Sequence, residues 1–378
     1  MMTPKTETEL AEMIKAAKDP LRIQGGGTRP IGRPVEGEIL STAGLSGISL
    51  YEPGSLTLVA QAGTPLAEIE AVLAAEGQRL AFEPMDHRGL LGTTGAPTIG
   101  GVVAGNISGS RRIAVGACRD FLLGVRFVDG QGAVLKNGGR VMKNVTGYDL
   151  VKLMAGSWGT LGVLSEVSLK VLPLPETSAT ILLHDLSLAD SVAAMSAALG
   201  SPFEVTGAAR RAGDTYLRIE GFEASVAYRA GQLTALLARF CEAVVIDQAA
   251  SVELWQEISN VADFTAKDVV SRVSVKPSDA PQVLEALQQQ FEFDEAMDWG
   301  GGLLWIGAMS AQEDVHAAAQ EAVSRIGGHA TLVKAPAAVR ARARVFQPEN
   351  PVVAQLARGL RARFDPRGIL NPGLMGGE

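Results

Sequence analysis

The first clear helical pattern in the chain covers Leu66–Glu76, where apolar residues recur every three or four positions and form one stripe. That period is typical of an amphipathic helix with one buried face. We expect Thr64 to be the N-cap, Pro65 to take the first helical position and Gly77 to end the helix. The stripe consists of Leu66, Ile69, Val72 and Leu73.

Short apolar runs around this helix predict a set of strands. The first run stops abruptly at three consecutive glycines, and two later runs are joined through residues 129–132 (DGQG), a strong hairpin signal. The last run alternates between apolar and polar positions, as a half-buried strand requires. The predicted strands are Leu21–Gln24, Leu56–Gln61, Leu122–Val128, Ala133–Lys136 and Val163–Val171.

The pattern changes after Pro173 and Pro175, and we place a domain boundary there, between residues 1–175 and residues 176–378. Strands and helices alternate in the second part, which predicts the α+β class. We expect a last helix over residues 352–363, capped by Asn350. The other elements predicted here are strands Thr180–His184, Tyr216–Glu220 and Leu303–Ala308 and helices near residues 188–199, 223–239, 280–290 and 311–326; the apolar face of the last helix is Val352, Val353, Leu356 and Leu360.

Composition changes this picture because glycine is in excess and unevenly spread. The chain has 378 residues and 43 glycines, of which 27 lie in residues 1–175 and 16 in the remainder. Ordinary glycine usage is about 7%. The first part of the chain therefore has many positions where backbone without a side chain is needed.

Charge and cysteine content exclude several classes of protein. A formal charge of −7 and the lack of a Lys/Arg run argue against a nucleic-acid binder. The only cysteines, Cys118 and Cys241, provide no disulfide framework, iron–sulfur site or cysteine zinc site. The first residues lack a secretory-signal pattern, and no apolar stretch reaches the roughly 20 residues of a membrane-spanning helix. We expect a cytoplasmic protein, and peripheral membrane contact through a partner stays open.

The first glycine segment directly follows the strand Leu21–Gln24. Successive glycines let main-chain N–H groups point inward and form a concavity for a phosphate group, which a Cβ atom would obstruct. A Rossmann or P-loop site needs a helix straight after the loop, but Pro30 and Pro34 follow here. The segment predicts either a nucleotide held by loops or an ordinary tight turn at a strand end.

Two further segments rich in small residues lie downstream. Residues 97–110 lead to Arg111, Arg112 and Arg119, an arrangement that suits a cofactor lying along the backbone. The alternative is a flexible loop, although interleaved branched aliphatic residues argue against disorder. Residues 156–163 form the third segment and run directly into the last predicted strand of the first part.

These segments carry a resemblance when they are taken in order. The motifs are GGGT at residues 25–28, TIGG at 98–101, GN at 105–106, RD at 119–120, VTGYDL at 145–150, GTLG at 159–162 and DPRGILNPG at 365–373. Over nearly the whole chain this order resembles the flavoproteins of the vanillyl-alcohol oxidase or para-cresol methylhydroxylase type. The GGGTRPIGRP loop, the short C-terminal half and the ending at residues 364–373 resemble, within that group, the smaller FAD-binding subunits of bacterial glycolate oxidases.

The resemblance implies a two-part FAD-binding domain followed by a smaller α+β domain whose C-terminal tail returns to the flavin. The first glycine segment would wrap the FAD pyrophosphate, and the second would follow the ribityl chain and the pyrophosphate. The third would meet the adenine half or the flavin edge, and Asn371 would close over the flavin. The other residues implied are Gln24, Gly25, Gly26, Gly27, Thr28 and Arg29; Thr98, Ile99, Gly100, Gly101, Gly105, Asn106 and Ser108; and Thr160, Gly162 and Val163.

Two departures from the family pattern matter. Some relatives attach FAD covalently through a histidine after the glycine triplet, whereas this chain has Thr28, so we expect non-covalent FAD. The larger subunit of the complex and the D-lactate dehydrogenases share a C-terminal segment of close histidines that suits metal and 2-hydroxy-acid binding. Here the nearest pair is His316 and His329, so we expect no metal site and a missing acid site.

Oxidation of a 2-hydroxy acid needs a base near the hydroxyl and a cation for the carboxylate. His329 is a candidate base, although a structural histidine is the favoured interpretation. The segment Trp299–Trp305 could wall a flavin pocket or be a strand after a turn, and Tyr148 with Asp149 could cap a helix. The candidate cations, for which a solvated basic face is the favoured interpretation, are Lys334, Arg340, Arg342 and Arg344.

The resemblance implies a subunit of a complex that oxidises glycolate, a small 2-hydroxy acid, to glyoxylate and passes the electrons to an iron–sulfur subunit. FAD in this chain would relay electrons or support assembly, while the larger FAD-binding subunit carries the acid site. Two alternatives stay open. One is a self-sufficient FAD-dependent 2-hydroxy-acid dehydrogenase similar to D-lactate dehydrogenase, and the other is a non-catalytic scaffold that keeps the fold.

Overall fold

The computed structural model describes residues 1–140 and 147–376, and their mixture of helices and strands confirms the predicted α+β class. The strands are β1 (Leu21–Gln24), β2 (Glu38–Ser41), β3 (Ile48–Glu52), β4 (Thr57–Gln61), β5 (Gln78–Arg79), β6 (Leu122–Val128), β7 (Val134–Gly138), β8 (Val163–Lys170), β9 (Leu172–Pro173), β10 (Thr177–Leu183), β11 (Gly207–Arg211), β12 (Asp214–Gly221), β13 (Ala243–Ile246), β14 (Val269–Ser274), β15 (Asp294–Asp298), β16 (Leu303–Ala308) and β17 (His329–Lys334). The helices are α1 (Glu7–Ala16), α2 (Leu66–Ala75), α3 (Arg88–Leu91), α4 (Ile99–Ala104), α5 (Arg112–Val115), α6 (Cys118–Phe121), α7 (Leu150–Met154), α8 (Leu188–Leu199), α9 (Glu223–Leu237), α10 (Gln248–Ser259), α11 (Ala280–Gln288), α12 (Val315–Ser324), α13 (Ala337–Arg342) and α14 (Pro351–Phe364).

The chain forms two compact units. The first contains Met1–Ser108, Gly116–Leu174 and Pro348–Glu378, and the second contains Gly109–Val115 and Pro175–Gln347. The sequence-based division at residue 175 thus differs in two places, because the short segment Gly109–Val115 belongs to the second unit and the C-terminal segment to the first.

The first unit is built on an antiparallel sheet in the order β3-β4-β8-β6-β7. In central strand β8, Val167 and Leu169 are buried on one side and Ser168 is buried on the other. The half-buried strand expected from alternation is therefore wrong at Ser168, whose small side chain fits a covered face. Two short ladders, β1 with β2 and β5 with β9, complete the strands of this unit.

Local chemistry explains where the predictions for the first unit failed. Helix α1 was missed because its surroundings are polar, yet Thr6 caps it by accepting from Glu9 N, and Leu10 and Ile14 are buried. The expected N-cap of α2 is also wrong. Pro65 takes that position, and the Thr64 hydroxyl instead donates to the Gln61 carbonyl and accepts from the Gly47 amide.

The second unit is built on an antiparallel sheet in the order β13-β10-β12-β11-β15-β16-β14-β17. One face carries the hydrophobic core, against which α8, α9, α11 and α12 pack. Because Val273 of β14 belongs to that core, its neighbours Arg272 and Ser274 lie on the opposite face. In the sheet register Arg272 pairs with Trp305 of β16 and Thr331 of β17. The second face is therefore polar and cationic at this end.

Strands β11, β13, β14, β15 and β17 and helix α10 were not predicted. In β11, β14, β15 and α10, a buried polar residue interrupts the apolar pattern. Arg210 of β11 shows the reason. It is buried, and Ser191 and Glu295 satisfy its guanidinium across the unit. Such tertiary pairing is invisible in a local sequence window.

The C-terminal segment begins with α14, where Asn350 caps the helix by accepting from Val352 N, as predicted. The turn after the helix is fixed by Asp365, which accepts from Leu370 N, and by Arg367, which donates to the carbonyl oxygens of Ile14 and Gly130. These bonds fasten the tail to the first unit. Within residues 1–140 and 147–376, no helix is both long enough and apolar enough to span a membrane.

Candidate functional site

The first glycine segment leaves β1 and forms a loop. Among the described residues, no hydrogen bond has the N–H of Gly25, Gly26 or Gly27 as its donor. Gly27 adopts a φ of 71°, a conformation that residues with a side chain rarely adopt. The loop therefore presents consecutive unsatisfied donors, the arrangement that binds an anionic oxygen.

A second reason for glycine in this loop is backbone packing. A Cβ atom at Gly26 would overlap the carbonyl oxygen of Ala96, and one at Gly95 would overlap the carbonyl oxygen of Gly26. A Cβ at Gly25 would also meet the hydroxyl of Thr98. The loop and residues 95–98 thus lie backbone against backbone. Gly26 is required by the fold whether or not a ligand is bound.

Arg29 supplies a cation at the end of this loop. Its Nε is 3.2 Å from His87 Nδ1, and one of its terminal nitrogens donates to the Met85 carbonyl over 3.3 Å. Burial lowers the pKa of the Arg29 guanidinium to about 10, and the nearby Asp86 carboxylate opposes this shift. Arg29 therefore stays charged at neutral pH. Sequence reasoning missed His87 and Met85 as its supports, because they are more than fifty positions away.

The second glycine segment contains a helix, α4, where sequence reasoning predicted either backbone along which a cofactor lies or a flexible loop. Thr98 caps it by accepting from Gly101 N. The N–H groups of Ile99 and Gly100 donate to the carbonyl oxygens of Thr64 and Ala62, over 3.0 and 2.8 Å. These donors are already satisfied and are not offered to a phosphate. A Cβ at Gly100 would lie 2.7 Å from Ala62, so glycine here serves close packing.

Asn106 and Ser108 have internal partners as well. Asn106 has a φ of 49°, and its Oδ1 accepts from Arg119 N over 3.0 Å. Ser108 Oγ accepts from Cys118 N over 2.9 Å. The two side chains connect the end of α4 to α6. The preceding Gly105 leaves room for the neighbouring Ile107 and Trp158 side chains.

The third glycine segment is joined to the C-terminal tail by Asn371. Its Oδ1 accepts from Ile23 N and its Nδ2 donates to the Trp158 carbonyl, each over 2.8 Å. Asn371 is 3% exposed, so both of its amide atoms are engaged inside the first unit. The structure thus brings the tail, β1 and residues 156–162 together.

The remaining residues of the third segment support the turn before β8. Thr160 donates to the Ser157 carbonyl over 2.7 Å, and Val163 is buried at the start of the strand. A Cβ at Gly162 would lie 2.6 Å from the Phe127 ring. Of the VTGYDL motif, Val145 and Thr146 fall outside the described residues. Asp149 caps α7 by accepting from Lys152 N, as predicted.

A cationic cluster that sequence reasoning did not assemble lies in the second unit. The guanidinium carbons of Arg112 and Arg272 lie 4.5 and 5.0 Å from the centroid of the Trp299 indole ring, and we name this group the Arg112–Trp299–Arg272 stack. Asp298 lies next to it, buried, and accepts from Trp299 N over 2.7 Å and from the Ser110 hydroxyl over 2.6 Å. The sequence shows Trp299 beside a run of glycines, but it does not show that Arg112 and Arg272 contact its ring, because these arginines are 160 positions apart.

The cations and histidines singled out in the sequence have mostly structural partners. Lys334 donates to the Thr265 carbonyl, and Arg342 pairs with Glu313. His316 is buried between Ser271 Oγ at 2.9 Å and the Arg344 carbonyl at 3.0 Å, and burial lowers its pKa to about 4. Across residues 1–140 and 147–376, no cluster of three His, Cys, Asp or Glu side chains could hold a metal ion.

Among the described residues, the His329 imidazole makes no hydrogen bond and no ion pair. It begins β17, and burial together with the charges of Arg272 and Arg112 lowers its pKa, so the imidazole is neutral at pH 7. It therefore lies in the field of the stack. Trp305 of the Trp299–Trp305 segment is a buried residue of β16.

Comparison with known proteins identifies the family to which this chain is similar. Residues 1–138 match a family model described as an FAD binding domain. The chain is 35% identical over 375 residues to the glycolate oxidase subunit GlcE of Escherichia coli K12, covering 98% of this chain and 97% of that protein. It is 31% identical over 188 residues to the glycolate oxidase subunit GlcD of Bacillus subtilis, covering 48% of this chain and 38% of that protein.

A solved structure supports the fold. An alkyldihydroxyacetonephosphate synthase superposes with a TM-score of 0.72 at 16% identity and covers 98% of this chain and 76% of its own. At that identity the likeness concerns the fold alone.

Proposed function

This chain belongs to the family of the glycolate oxidase subunit GlcE, and from that premise we propose that it is the FAD-binding subunit of a complex that oxidises glycolate to glyoxylate. The oxidation removes two electrons and two protons from the 2-hydroxy acid. The chain is an FAD-dependent oxidoreductase subunit, and FAD, when bound, is the electron acceptor for such a substrate.

The unused amides of Gly25, Gly26 and Gly27 beside Arg29 are the observation that carries the proposal. A dinucleotide pyrophosphate needs several N–H donors and a nearby cation, and this loop offers both within five residues. FAD is held non-covalently, because Thr28 follows the triplet and has no nucleophilic imidazole. Gln24 and Thr28 flank the donors and complete the proposed cradle.

The other glycine segments have a supporting part in this proposal. Thr98, Ile99, Gly100 and Gly101 form the packed first turn of α4, and a Cβ atom at Gly25 would lie 2.4 Å from the Thr98 hydroxyl oxygen. Gly105, Asn106 and Ser108 hold the end of that helix, while Thr160, Gly162 and Val163 shape the turn to which Asn371 is bound. We infer that these residues set the walls of the flavin site and leave the phosphate contacts to residues 25–29.

The partners follow from the family. The curated relatives GlcE and GlcD are both named as subunits of glycolate oxidase, so a complex with a larger FAD-binding subunit is proposed for this chain. An iron–sulfur subunit would take up the electrons, and any membrane contact would be peripheral and made through the complex. In this arrangement FAD in the present chain relays electrons or supports assembly. The self-sufficient dehydrogenase and the scaffold remain the alternatives.

One preparation separates these functions. The full chain is purified alone, its visible spectrum is recorded, and the flavin is released by denaturation. Glycolate is then added without oxygen. A releasable flavin that glycolate does not bleach supports the relay subunit, and bleaching supports the self-sufficient dehydrogenase. A colourless chain that does not take up added FAD would contradict the cofactor assignment and leave the scaffold.

A further inference from the structure

The last helix, α14, exposes the apolar stripe that the sequence predicts for it. None of its 14 residues is buried. In the part of the chain that the structure describes, no other helix carries more than one exposed large apolar side chain. A group of neighbouring exposed apolar residues, unlike single scattered ones, marks an interaction surface. The stripe consists of Val352, Val353, Leu356 and Leu360, which are 65, 50, 65 and 41% exposed.

The adjoining side of α14 fastens the helix to the first unit. The Phe364 ring centroid lies 6.0 Å from that of Phe127, and the Phe364 carbonyl accepts from Gly130 N over 2.9 Å. Ala354 and Ala357 on this side are half-buried. The contacts of α14 with its own unit therefore leave the stripe free for another molecule.

Opposite charges lie at the two ends of the stripe. Glu349 precedes the cap Asn350, and Arg363 lies three residues beyond Leu360, where it extends the stripe by one turn. Both charged side chains are exposed, and among residues 1–140 and 147–376 neither makes a hydrogen bond or an ion pair. Helix α14 itself contains no acidic residue. The stripe is therefore acidic at its beginning and basic at its end.

The pattern is symmetric about Leu356. Val352 and Leu360 lie four residues to either side of it, and Glu349 and Arg363 lie seven residues to either side. When two such helices pack antiparallel across a two-fold axis near Leu356, apolar positions face apolar positions and Glu349 faces Arg363 of the partner subunit at both ends. A parallel pair would instead bring like charges together. The stripe thus complements itself in the antiparallel orientation.

We propose that α14 packs antiparallel against α14 of a second copy of this chain and forms a homodimer with its two-fold axis near Leu356. This inference goes beyond the proposed function and depends on neither FAD nor a substrate. A single helix pair buries less than the roughly 800 Å² per partner of a standard stable interface, so we expect a weak dimer with a dissociation constant of about 1–100 μM.

Sedimentation equilibrium of the full purified chain, over concentrations that span this range, measures the association. We expect Leu356→Asp to weaken it at least about 100-fold, because two carboxylates would meet at the axis inside an apolar contact. Val252→Asp is the matched control, since Val252 is a 58% exposed valine on helix α10 of the second unit and should leave association unchanged.

Charge reversal tests the antiparallel orientation. Arg363→Glu makes both ends of the stripe acidic, and Glu349→Arg makes both ends basic, so each variant alone should associate about 10-fold more weakly. An equimolar mixture of the two should form heterodimers with the affinity of the wild type, because every end then faces an opposite charge. Arg358→Glu is the control, because Arg358 lies two residues after Leu356 and so about 200° away round the helix.

Three results would overturn the proposal: a chain that stays monomeric, a dimer that Leu356→Asp leaves intact, or a variant mixture that associates no better than its components. Two parallel assays identify other occupants of the stripe. Loss of binding to phosphatidylglycerol vesicles in Leu356→Asp, with a monomeric wild type, would assign the stripe to a membrane. The same loss toward the purified larger flavin subunit would assign it to the complex. Because these residues are exposed, all variants should keep the melting temperature of the wild type.

Discussion

The loop at residues 25–29 and the segment at residues 98–108 share the same small-residue signal but use their backbones differently. In the loop, the amides of Gly25, Gly26 and Gly27 have no acceptor among the described residues. In the later segment, the amides of Ile99 and Gly100 are satisfied by Thr64 and Ala62. Glycine richness therefore marks two physical needs, open donors for a ligand in one place and close packing of backbone in the other.

At Gly26 the same residue has an N–H group without an acceptor among the described residues and a backbone packed closely against residues 95–98. We expect Gly26→Ala to destabilise the protein by about 4 kcal/mol or more, because the new Cβ overlaps the Ala96 carbonyl and backbone must move. Urea unfolding of the flavin-free chain measures the loss. Gly54→Ala is the control, since a Cβ there meets nothing within 4 Å. Equal stability of the two variants would show that the loop and residues 95–98 are not in backbone contact.

Asn371 tests whether the tail secures the loop strand or acts on the ligand. Asn371→Ala should cost about 2–3 kcal/mol of unfolding free energy, because the buried Ile23 N–H and Trp158 carbonyl would both lose their partner. Bound flavin should then fall only as far as the stability loss requires. A variant of normal stability that has lost its flavin would instead give Asn371 a direct role toward the cofactor.

Sequence reasoning found the strands that carry their own signal, such as β1, β6 and β16, whose bounds match the prediction. It also found the glycine segments and their order. It could not separate used from unused amides, because the acceptors of Ile99 and Gly100 lie more than thirty positions upstream. The contacts of Arg112 and Arg272 with Trp299 could not be predicted for the same reason, because only the fold brings these residues together.

Arg29 tests whether the loop at residues 25–29 binds the ligand. We expect Arg29→Gln to weaken FAD binding about 10- to 100-fold through loss of a charge-assisted contact with the pyrophosphate. Its unfolding free energy without FAD should change little, because removal of the buried charge offsets the lost contacts with His87 and Met85. Fluorescence titration with FAD measures the affinity. Arg22→Gln, an exposed position on β1, is the control, and equal affinity in the two variants would remove Arg29 from the site.

Thr98 tests whether the segment at residues 98–108 serves packing, and we expect the smallest change in unfolding free energy here. Its hydroxyl caps α4 by accepting from Gly101 N over 3.3 Å, and loss of such a cap costs about 1 kcal/mol. Thr98→Ala should therefore lower the unfolding free energy by about that amount while FAD affinity stays nearly unchanged, and Thr98→Ser should restore the stability. Should Thr98→Ala instead lose FAD as strongly as Arg29→Gln at unchanged stability, the hydroxyl would belong with the ligand donors. The distinction between open and packed glycine segments would then have to be drawn after residue 98.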